Sequence, residues 1–408
     1  MLGHLPHLKS LYLSSLTNVK SIGSSFYGNI DICRKDTIVI AFPVLERLDL
    51  CDMPNLKEWE DVVLFPRLKY LKIYRCRQLR RAPSHFPCLE ELKIEDMESS
   101  LALESICGIN LTSLTRLKIN QLEGLECLPD WLFSNNNNLK WLEIWYCPKM
   151  THLVPHFGGG GVPSLLRRLY ITKCPSFREL PDDLHSLNAL ETLKITRCPE
   201  LKSIPYPISS SREGQLQQQQ QQQQGFTSLR QLYIRSCEGL TNLPIEMVES
   251  CAQSLERLGL SDLRSITNMG MVMECVQKMP RLRELELGIM DMVSLSSNVS
   301  YNETFFISLR HLELSGFGGE ALPEWVLNLS SLETLTLLKC ERLSHLPSKQ
   351  RLSKLTYLNI YGCPLLLKEN RSNNDEVPQI VDSEWPKISH ITTIYVDGHL
   401  IPSDRQGR

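Results

Sequence analysis

A sixteen-residue pattern recurs along this chain and limits what it can fold into. In LETLKITRCPELKSIP, residues 190–205, the Leu193–Ile195 pair alternates as in a β-strand, whereas the apolar residues after Cys198 continue at spacings of three. No single strand places both sets on one face. The pattern therefore predicts a short strand, a turn and a return of the chain.

Copies of the pattern cover most of the 408 residues. The consensus is L-x-x-L-x-[LI]-x-x-C-x-x-L-x-x-[LI]-P, and most steps between copies are 21 to 27 residues. The copies begin at Leu8, Leu45, Leu68, Leu89, Leu114, Leu139, Leu166, Leu190, Leu229, Leu255, Leu282, Leu309, Leu332 and Leu355, with a degenerate fifteenth at Ile391, Ile394 and Val396.

This period and pattern are the signature of leucine-rich repeats. One such repeat cannot bury its apolar face alone and is stabilised by stacking on its neighbours. We therefore expect an α/β solenoid, a leucine-rich-repeat horseshoe of about 14–15 repeats. A parallel β-sheet should line its concave face, with short helices and irregular segments on the convex side.

The repeats also predict the domain organisation. Residues 1–364 should form one solenoid, interrupted at 209–225 by a disordered, glutamine-rich loop insertion. Residues 365–408 should form a degenerate terminal repeat and a C-terminal cap.

Composition indicates the cellular compartment and argues against some classes of partner. The net charge of −2 argues against a dedicated nucleic-acid binder, and no apolar run approaches the length of a transmembrane segment. The first residues lack the features of a secretory signal, which favours the cytoplasm. The number of cysteines suits free thiols in a reducing compartment. Seven of the cysteines share one repeat position: Cys76, Cys147, Cys174, Cys198, Cys237, Cys340 and Cys363.

Motifs for catalysis are not found in the sequence. There is no G-x-x-x-x-G-K-[ST] phosphate loop, no H-E-x-x-H, no G-x-S-x-G and no C-x-x-C pair. We therefore expect no enzyme, and no catalytic, cofactor or metal site in this chain.

A binding surface is expected where the strands face outward. In the repeats that begin at residues 139, 166, 190 and 229, the outward positions hold eight basic residues against two acidic ones, interleaved with aromatic side chains. Tyrosine, tryptophan and arginine dominate protein interfaces, although a merely solvated sheet face is the alternative. The candidates are Tyr70, Tyr74, Arg75, Trp141, Trp145, Tyr146, Arg168, Tyr170, Lys173, Lys194, Arg197, Arg230, Tyr233 and Arg235.

The repeat, with its frequent C-P and its terminal [LI]-P, resembles the leucine-rich region of plant intracellular disease-resistance proteins of the coiled-coil, nucleotide-binding class. LGHLPHLKSLYLSSLTNVKSIGSSFYG (2–28) and FPVLERLDLCDMPNLKEWE (42–60) are similar to the middle of that region, and SEWPKISHITTIYVDG (383–398) resembles its end. The resemblance implies recognition of pathogen effectors or guarded host proteins, and contact with the nucleotide-binding part of a receptor.

The coiled-coil and nucleotide-binding parts of that family have no counterpart in these 408 residues. We therefore expect a truncated product, with ADP or ATP bound only in a full-length family member. The alternative is a leucine-rich-repeat substrate adaptor of a ubiquitin ligase, which would need an F-box-like helical segment before the repeats. An extracellular receptor would instead show N-x-L-x-G-x-[IL]-P repeats and paired cysteines.

Overall fold

The computed structural model describes residues 5–27, 39–40, 42–61, 63–108, 111–129, 132–133, 136–154, 165–206, 225–288, 306–368 and 378–401. It forms two compact units, Met1–Phe226 (unit 1) and Thr227–Arg408 (unit 2). The insertion predicted at 209–225 lies outside the described residues, apart from Gly225.

Unit 1 is a parallel ladder of strands, one for each repeat. Its long strands pair in the order β1-β4-β7-β8-β9-β10-β11-β12, and β2 with β5 and β3 with β6 form separate short parallel pairs. The strands are β1 (Ser10–Ser14), β2 (Ser21–Ile22), β3 (Val39–Ile40), β4 (Arg47–Cys51), β5 (Glu58–Trp59), β6 (Val63–Leu64), β7 (Tyr70–Tyr74), β8 (Glu91–Met97), β9 (Arg116–Leu122), β10 (Trp141–Trp145), β11 (Arg168–Thr172) and β12 (Thr192–Thr196). The helices are α1 (Ser24–Tyr27), α2 (Leu101–Cys107) and a 3-10 turn at Leu184–Ser186.

Unit 2 continues the same arrangement, with β13 to β19 pairing in sequence order and β20 added antiparallel to β19. The strands are β13 (Gln231–Arg235), β14 (Arg257–Ser261), β15 (Glu284–Gly288), β16 (His311–Ser315), β17 (Thr334–Leu338), β18 (Tyr357–Tyr361), β19 (Thr393–Val396) and β20 (His399–Ile401). The helices are α3 (Ile245–Ser250), α4 (Met269–Val276), α5 (Glu324–Leu327), a 3-10 turn at Pro364–Leu366 and α6 (Trp385–Ile388).

The inward residues of each strand stack on their equivalents in the next repeat. Leu142 of β10 pairs in register with Leu169 of β11, and Ile144 pairs with Ile171. All four side chains are fully buried. The L-x-[LI] motif thus builds two continuous apolar rows, and the prediction of a leucine-rich-repeat solenoid with parallel strands and short helices is confirmed.

A ladder of phenylalanines fills the start of three repeats in unit 1. Phe42, Phe65 and Phe86 each open an F-P-x-L sequence, and their rings stack 6.0 and 5.6 Å apart. Trp59 packs against Phe65 and donates a buried hydrogen bond to the Tyr27 hydroxyl. The F-P-x-L spacing was available in the sequence but was not part of the predicted pattern.

The repeat-position cysteines lie behind the strands as buried thiols. Cys76 Sγ donates weakly to the carbonyls of Leu50 and Tyr74, both at 3.7 Å, and Cys363 Sγ does the same to Leu337 and Tyr361. Burial raises the pKa of the Cys76 thiol to about 12. No disulfide joins the cysteines that the structure describes, and ten of these thirteen are buried.

Candidate functional site

The outward side chains of β10, β11 and β12 form one continuous surface of unit 1. Strand register sets Trp141 beside Arg168, and Glu143 beside Tyr170. Tyr170 in turn lies beside Lys194 of β12. Side chains that face each other on adjacent strands are close enough to interact directly, so residues far apart in the sequence become neighbours here.

Trp141 is held between two arginines. The guanidinium carbons of Arg116 and Arg168 lie 4.3 and 4.9 Å from the centre of its ring, and Tyr170 contacts it edge-on at 5.8 Å. These are cation–π geometries, which orient the indole as well as attract it. The buried Nε1 of Trp141 finds no hydrogen-bond partner among the described residues. The indole is therefore a fixed ring with an unused donor.

Trp145, at the other end of β10, is more exposed. The ammonium groups of Lys118 and Lys173 lie 5.8 and 5.3 Å from its ring centre, and 36% of the residue is accessible to solvent. Its neighbour Tyr146 is 52% exposed. Two large aromatic residues thus stand at the carboxyl end of β10, where a partner could bury them.

Lys173 and Arg197 follow β11 and β12 with φ angles of 56° each, in the left-handed region. The amide of Lys173 still donates to Thr196 O at 2.9 Å, so the chain remains tied to the next strand. The backbone therefore turns where each strand ends, and the side chains of Lys173 and Arg197 project from these turns.

Several cationic side chains of this surface form no ion pair with another described residue. Among the described residues, ion pairs tie up Lys118 with Glu143 at 3.6 Å and Arg167 with Glu191 at 2.9 Å, but no carboxylate partner occurs for four others. Those four are Arg168, Lys173, Lys194 and Arg197. We call this surface the β10–β12 patch, which consists of Trp141, Trp145, Tyr146, Arg168, Tyr170, Lys173, Lys194 and Arg197.

Tyr70, Tyr74 and Arg75 belong to a separate cluster on β7. Arg47 lies 3.9 Å over the Tyr70 ring and Arg75 lies 4.9 Å from the Tyr74 ring. Arg75 also pairs with Asp96 at 3.1 Å. Strands β8 and β9 separate β7 from β10, so these three candidates are not adjacent to the β10–β12 patch.

The remaining candidates, Arg230, Tyr233 and Arg235, lie in unit 2 and are engaged within it. Arg230 pairs with Glu256 at 3.1 Å. Arg235 lies 4.8 Å over the Tyr233 ring and pairs with Glu286. Burial raises the pKa of Glu286, although the charge of Arg235 acts in the opposite direction. The two arginines therefore carry less free charge than their sequence positions suggested.

Sequence reasoning missed Arg116 and Lys118, which lie on β9 and complete the environment of the two tryptophans. The signal was present, because the repeat that begins at Leu114 has the same outward positions. Reading one more repeat in register would have found both residues.

The described residues contain neither a cluster of metal ligands nor a membrane-spanning helix. No three His, Cys, Asp or Glu side chains in those ranges converge as metal ligands. None of the helices there has both the length and the apolar character that crossing a bilayer requires.

The fold defines the class: the chain is a leucine-rich-repeat protein. Residues 306–363 match the family model described as R13L1/DRL21 LRRs. The chain is also similar to the LRR ectodomain of the plant membrane receptor kinase GASSHO1/SCHENGEN3 from Arabidopsis thaliana, at 20% identity. That alignment has a TM-score of 0.46 and covers 86% of this chain and 38% of the other.

The curated relatives are plant disease-resistance proteins. Disease resistance RPP13-like protein 1 of Arabidopsis thaliana is 31% identical over 208 residues, which are 46% of this chain and 18% of that protein. Disease resistance protein RPP4 of the same plant is 24% identical over 362 residues, covering 79% of this chain and 29% of the relative. The chain thus spans less than a third of these relatives and is similar to their leucine-rich repeats.

Proposed function

We propose that this chain is a protein-recognition module of plant defence, and that the β10–β12 patch binds its partner. The observation that carries the proposal is that four cations on the same surface as two tryptophans have no carboxylate partner among the described residues. Two of these cations, Arg168 and Lys173, contact the tryptophan rings. Aromatic and arginine side chains provide most of the binding energy of protein interfaces. Charges without internal partners steer a partner of opposite sign. The partner is therefore a protein with an acidic surface.

The similarity to disease-resistance proteins supports a role in defence. On that basis the partner is a pathogen effector or a host protein that an effector modifies. The nucleotide-binding part of a receptor is a further partner for the same repeats. The proposal assigns no nucleotide and no catalytic step to this chain. The buried cysteines, which form no disulfide in the described residues, support a place in the reducing cytoplasm.

The test replaces one aromatic residue and one cationic residue of the β10–β12 patch in the plant that carries the gene. Trp145→Ala with Arg197→Glu should remove aromatic contact area and reverse one charge. We expect the edited plant to lose resistance to at least one pathogen isolate that the unedited plant controls. Both side chains are exposed, so the melting temperature and the amount of protein should be unchanged.

The matched control makes the same kinds of substitution outside the patch. Tyr361, which is 50% exposed on β18, is changed to Ala, and Arg342, whose side chain is 70% exposed, is changed to Glu. The control should retain resistance to every isolate. Unchanged resistance of the Trp145→Ala, Arg197→Glu plant across the isolate panel would show that the patch is only a solvated face.

A further inference from the structure

Unit 2 contains a cavity whose lining includes no residue of the β10–β12 patch. It lies between α5 and the turn at residues 350–355 and has a volume of about 580 Å³. Pockets for small molecules fall in the range of roughly 300 to 1,000 Å³. The cavity is therefore large enough for a ligand of one or two rings.

Solvent reaches the core slightly more at this cavity than in the two preceding repeats. Leu282 and Leu309, at the first leucine position of their repeats, are 0% exposed. The equivalent Leu332 and Leu355, which line the cavity, are 5% and 3% exposed. The cavity therefore reaches the row of buried leucines.

The inner wall is aromatic and has an unused hydrogen-bond donor. Phe306 and Trp325 lie with ring centres 5.2 Å apart, and Trp325 is only 9% exposed. Its Nε1 is buried and has no hydrogen-bond partner among the described residues. A buried indole N–H almost always has a partner. Because this atom is fully buried, a ligand in the cavity meets the aromatic faces and not the donor.

The rim carries positive charge and no negative charge. Arg351 and Lys354 both line the cavity, and the lining includes no aspartate or glutamate. The Arg351 Nη1 donates to Asn328 Oδ1 at 2.8 Å, and this bond fixes the guanidinium at the rim. In the described part of the chain, neither cation has a carboxylate partner. The rim is therefore suited to a carboxylate from outside.

We infer that this cavity is a binding site for a small organic anion with a flat apolar body and a carboxylate. The body lies against Phe306 and Trp325, and the carboxylate lies between Arg351 and Lys354. The site is independent of the proposed recognition function, since all of its residues belong to unit 2 and none belongs to the β10–β12 patch.

The test measures binding of 2-naphthoate to the complete chain by ligand-observed NMR titration. We expect saturable binding to the wild type. 2-Naphthamide, the neutral isostere, should bind about tenfold more weakly, since it loses the charge-assisted contacts with the rim. Arg351→Gln should weaken binding of 2-naphthoate by a similar factor. Trp325→Phe, which replaces the indole with a smaller ring, should weaken it by about three- to tenfold, because the apolar body loses contact area.

Two control variants separate this site from the rest of the surface. Arg342→Gln removes an exposed arginine that does not line the cavity, and Trp145→Ala alters only the β10–β12 patch. Both should bind 2-naphthoate as the wild type does. Because Arg351 is exposed, its variant should fold even if Trp325→Phe does not.

Each contrary result overturns the inference. It is wrong if 2-naphthoate shows no saturable binding, or if Arg351→Gln binds it as tightly as the wild type does. Equal affinity for 2-naphthoate and 2-naphthamide would show that the site does not select an anion.

Discussion

In most repeats the residue that follows the long strand turns the chain into the left-handed region, whatever its side chain. Tyr146 has a φ of 57° and Lys339 a φ of 51°, although neither is a glycine. The amide of Lys339 donates to Tyr361 O at 2.7 Å. An L-residue other than glycine loses about 1–2 kcal/mol in this conformation. The ladder hydrogen bonds and the stacked core therefore impose a conformation that the local sequence disfavours.

Glycine at such a position should stabilise the protein. Gly316 and Gly362 already occupy the equivalent positions of two repeats, with φ angles of 66° and 64°. We expect Lys339→Gly to raise the free energy of unfolding by about 0.5–1 kcal/mol. Relief of the left-handed strain exceeds the added flexibility of the unfolded chain. Urea denaturation of the variant and the wild type measures the difference.

Thr336→Gly, in the middle of β17, is the control, because glycine inside a strand should lower stability. If Lys339→Gly also lowers it, the left-handed turn is not strained by lysine.

Sequence register predicts which side chains point inward but not how the outward charges pair. Leu142 and Ile144 were placed in the core by the repeat alone, and the structure buries both. The pairing of Arg235 with Glu286 joins β13 to β15 across β14. It depends on Gly259 of β14, where a Cβ would lie 2.6 Å from Tyr233 Cδ1 and 3.2 Å from Arg235 Nε. The sequence of any one repeat therefore does not predict this ion pair, because the residues that form it and make room for it lie in three repeats.

At the scale of elements, a buried glutamate attaches α6 to the repeats. Glu384 is 2% exposed. It accepts hydrogen bonds from the Leu346 amide at 2.7 Å and from Lys387 Nζ at 2.8 Å. Lys387 Nζ also donates to Leu346 O at 3.1 Å. The carboxylate is therefore paired on both sides, as a buried charge requires.

These contacts make the stability of the element depend on pH. Burial alone would raise the pKa of Glu384, but the hydrogen bonds from Lys387 and the Leu346 amide outweigh it and hold the pKa below the ordinary 4.5. The unfolded chain therefore binds the proton more readily than the folded one. The stabilisation is fully present above the unfolded pKa and is lost as the pH falls through the folded pKa.

Glu384→Gln should lower the free energy of unfolding at pH 7 by about 1–3 kcal/mol, since it replaces a paired carboxylate with a neutral amide that suits only part of the site. The deficit should shrink as the pH falls below the ordinary glutamate pKa of the unfolded chain, about 4.3, and on through the lowered pKa of the folded protein. Urea denaturation at pH 7, 5 and 3 measures it. An equal deficit at every pH would mean that the charge contributes nothing.

The sequence predicted the strand of this region but not its attachment. Ile394 and Val396 alternate as in the other repeats, and the structure places both on β19. The SEWPK stretch that contains Glu384 is polar and would be read as a surface loop. Its burial follows from the turn at Leu346, which lies 38 residues earlier in the chain.

At the scale of the whole molecule, the net charge says little about the surface. The chain carries a formal charge of −2, yet the β10–β12 patch gathers four cations without carboxylate partners in the described residues. Elsewhere in the described residues, charges of opposite sign neutralise each other in ion pairs, as on β8. There Glu91 pairs with Lys93 at 2.9 Å and Glu95 with Lys72 at 3.5 Å. Only the stacking order of the repeats determines which charges are left unpaired.

The same stacking order should determine how the molecule opens. Each buried row depends on the two adjacent repeats. Leu11 and Leu13 of β1, which among the described residues pairs only with β4, are half-buried, whereas Leu48 and Leu50 of β4 are 1% exposed. Stability in such arrays is a sum of repeat terms and nearest-neighbour interfaces. Leu71→Ala removes a fully buried side chain of β7 and should destabilise its surroundings by about 2–5 kcal/mol.

We expect Leu71→Ala to speed amide hydrogen exchange in β4, β7 and β8, and to leave β16, β17 and β18 unchanged, because local opening samples the weakened repeats without unfolding distant ones. Leu335→Ala, at the equivalent position of β17 and equally buried, should give the reciprocal pattern. Hydrogen exchange followed by mass spectrometry resolves both. If either substitution speeds exchange equally along the whole chain, the array unfolds as one cooperative unit, and nearest-neighbour stacking does not describe its stability.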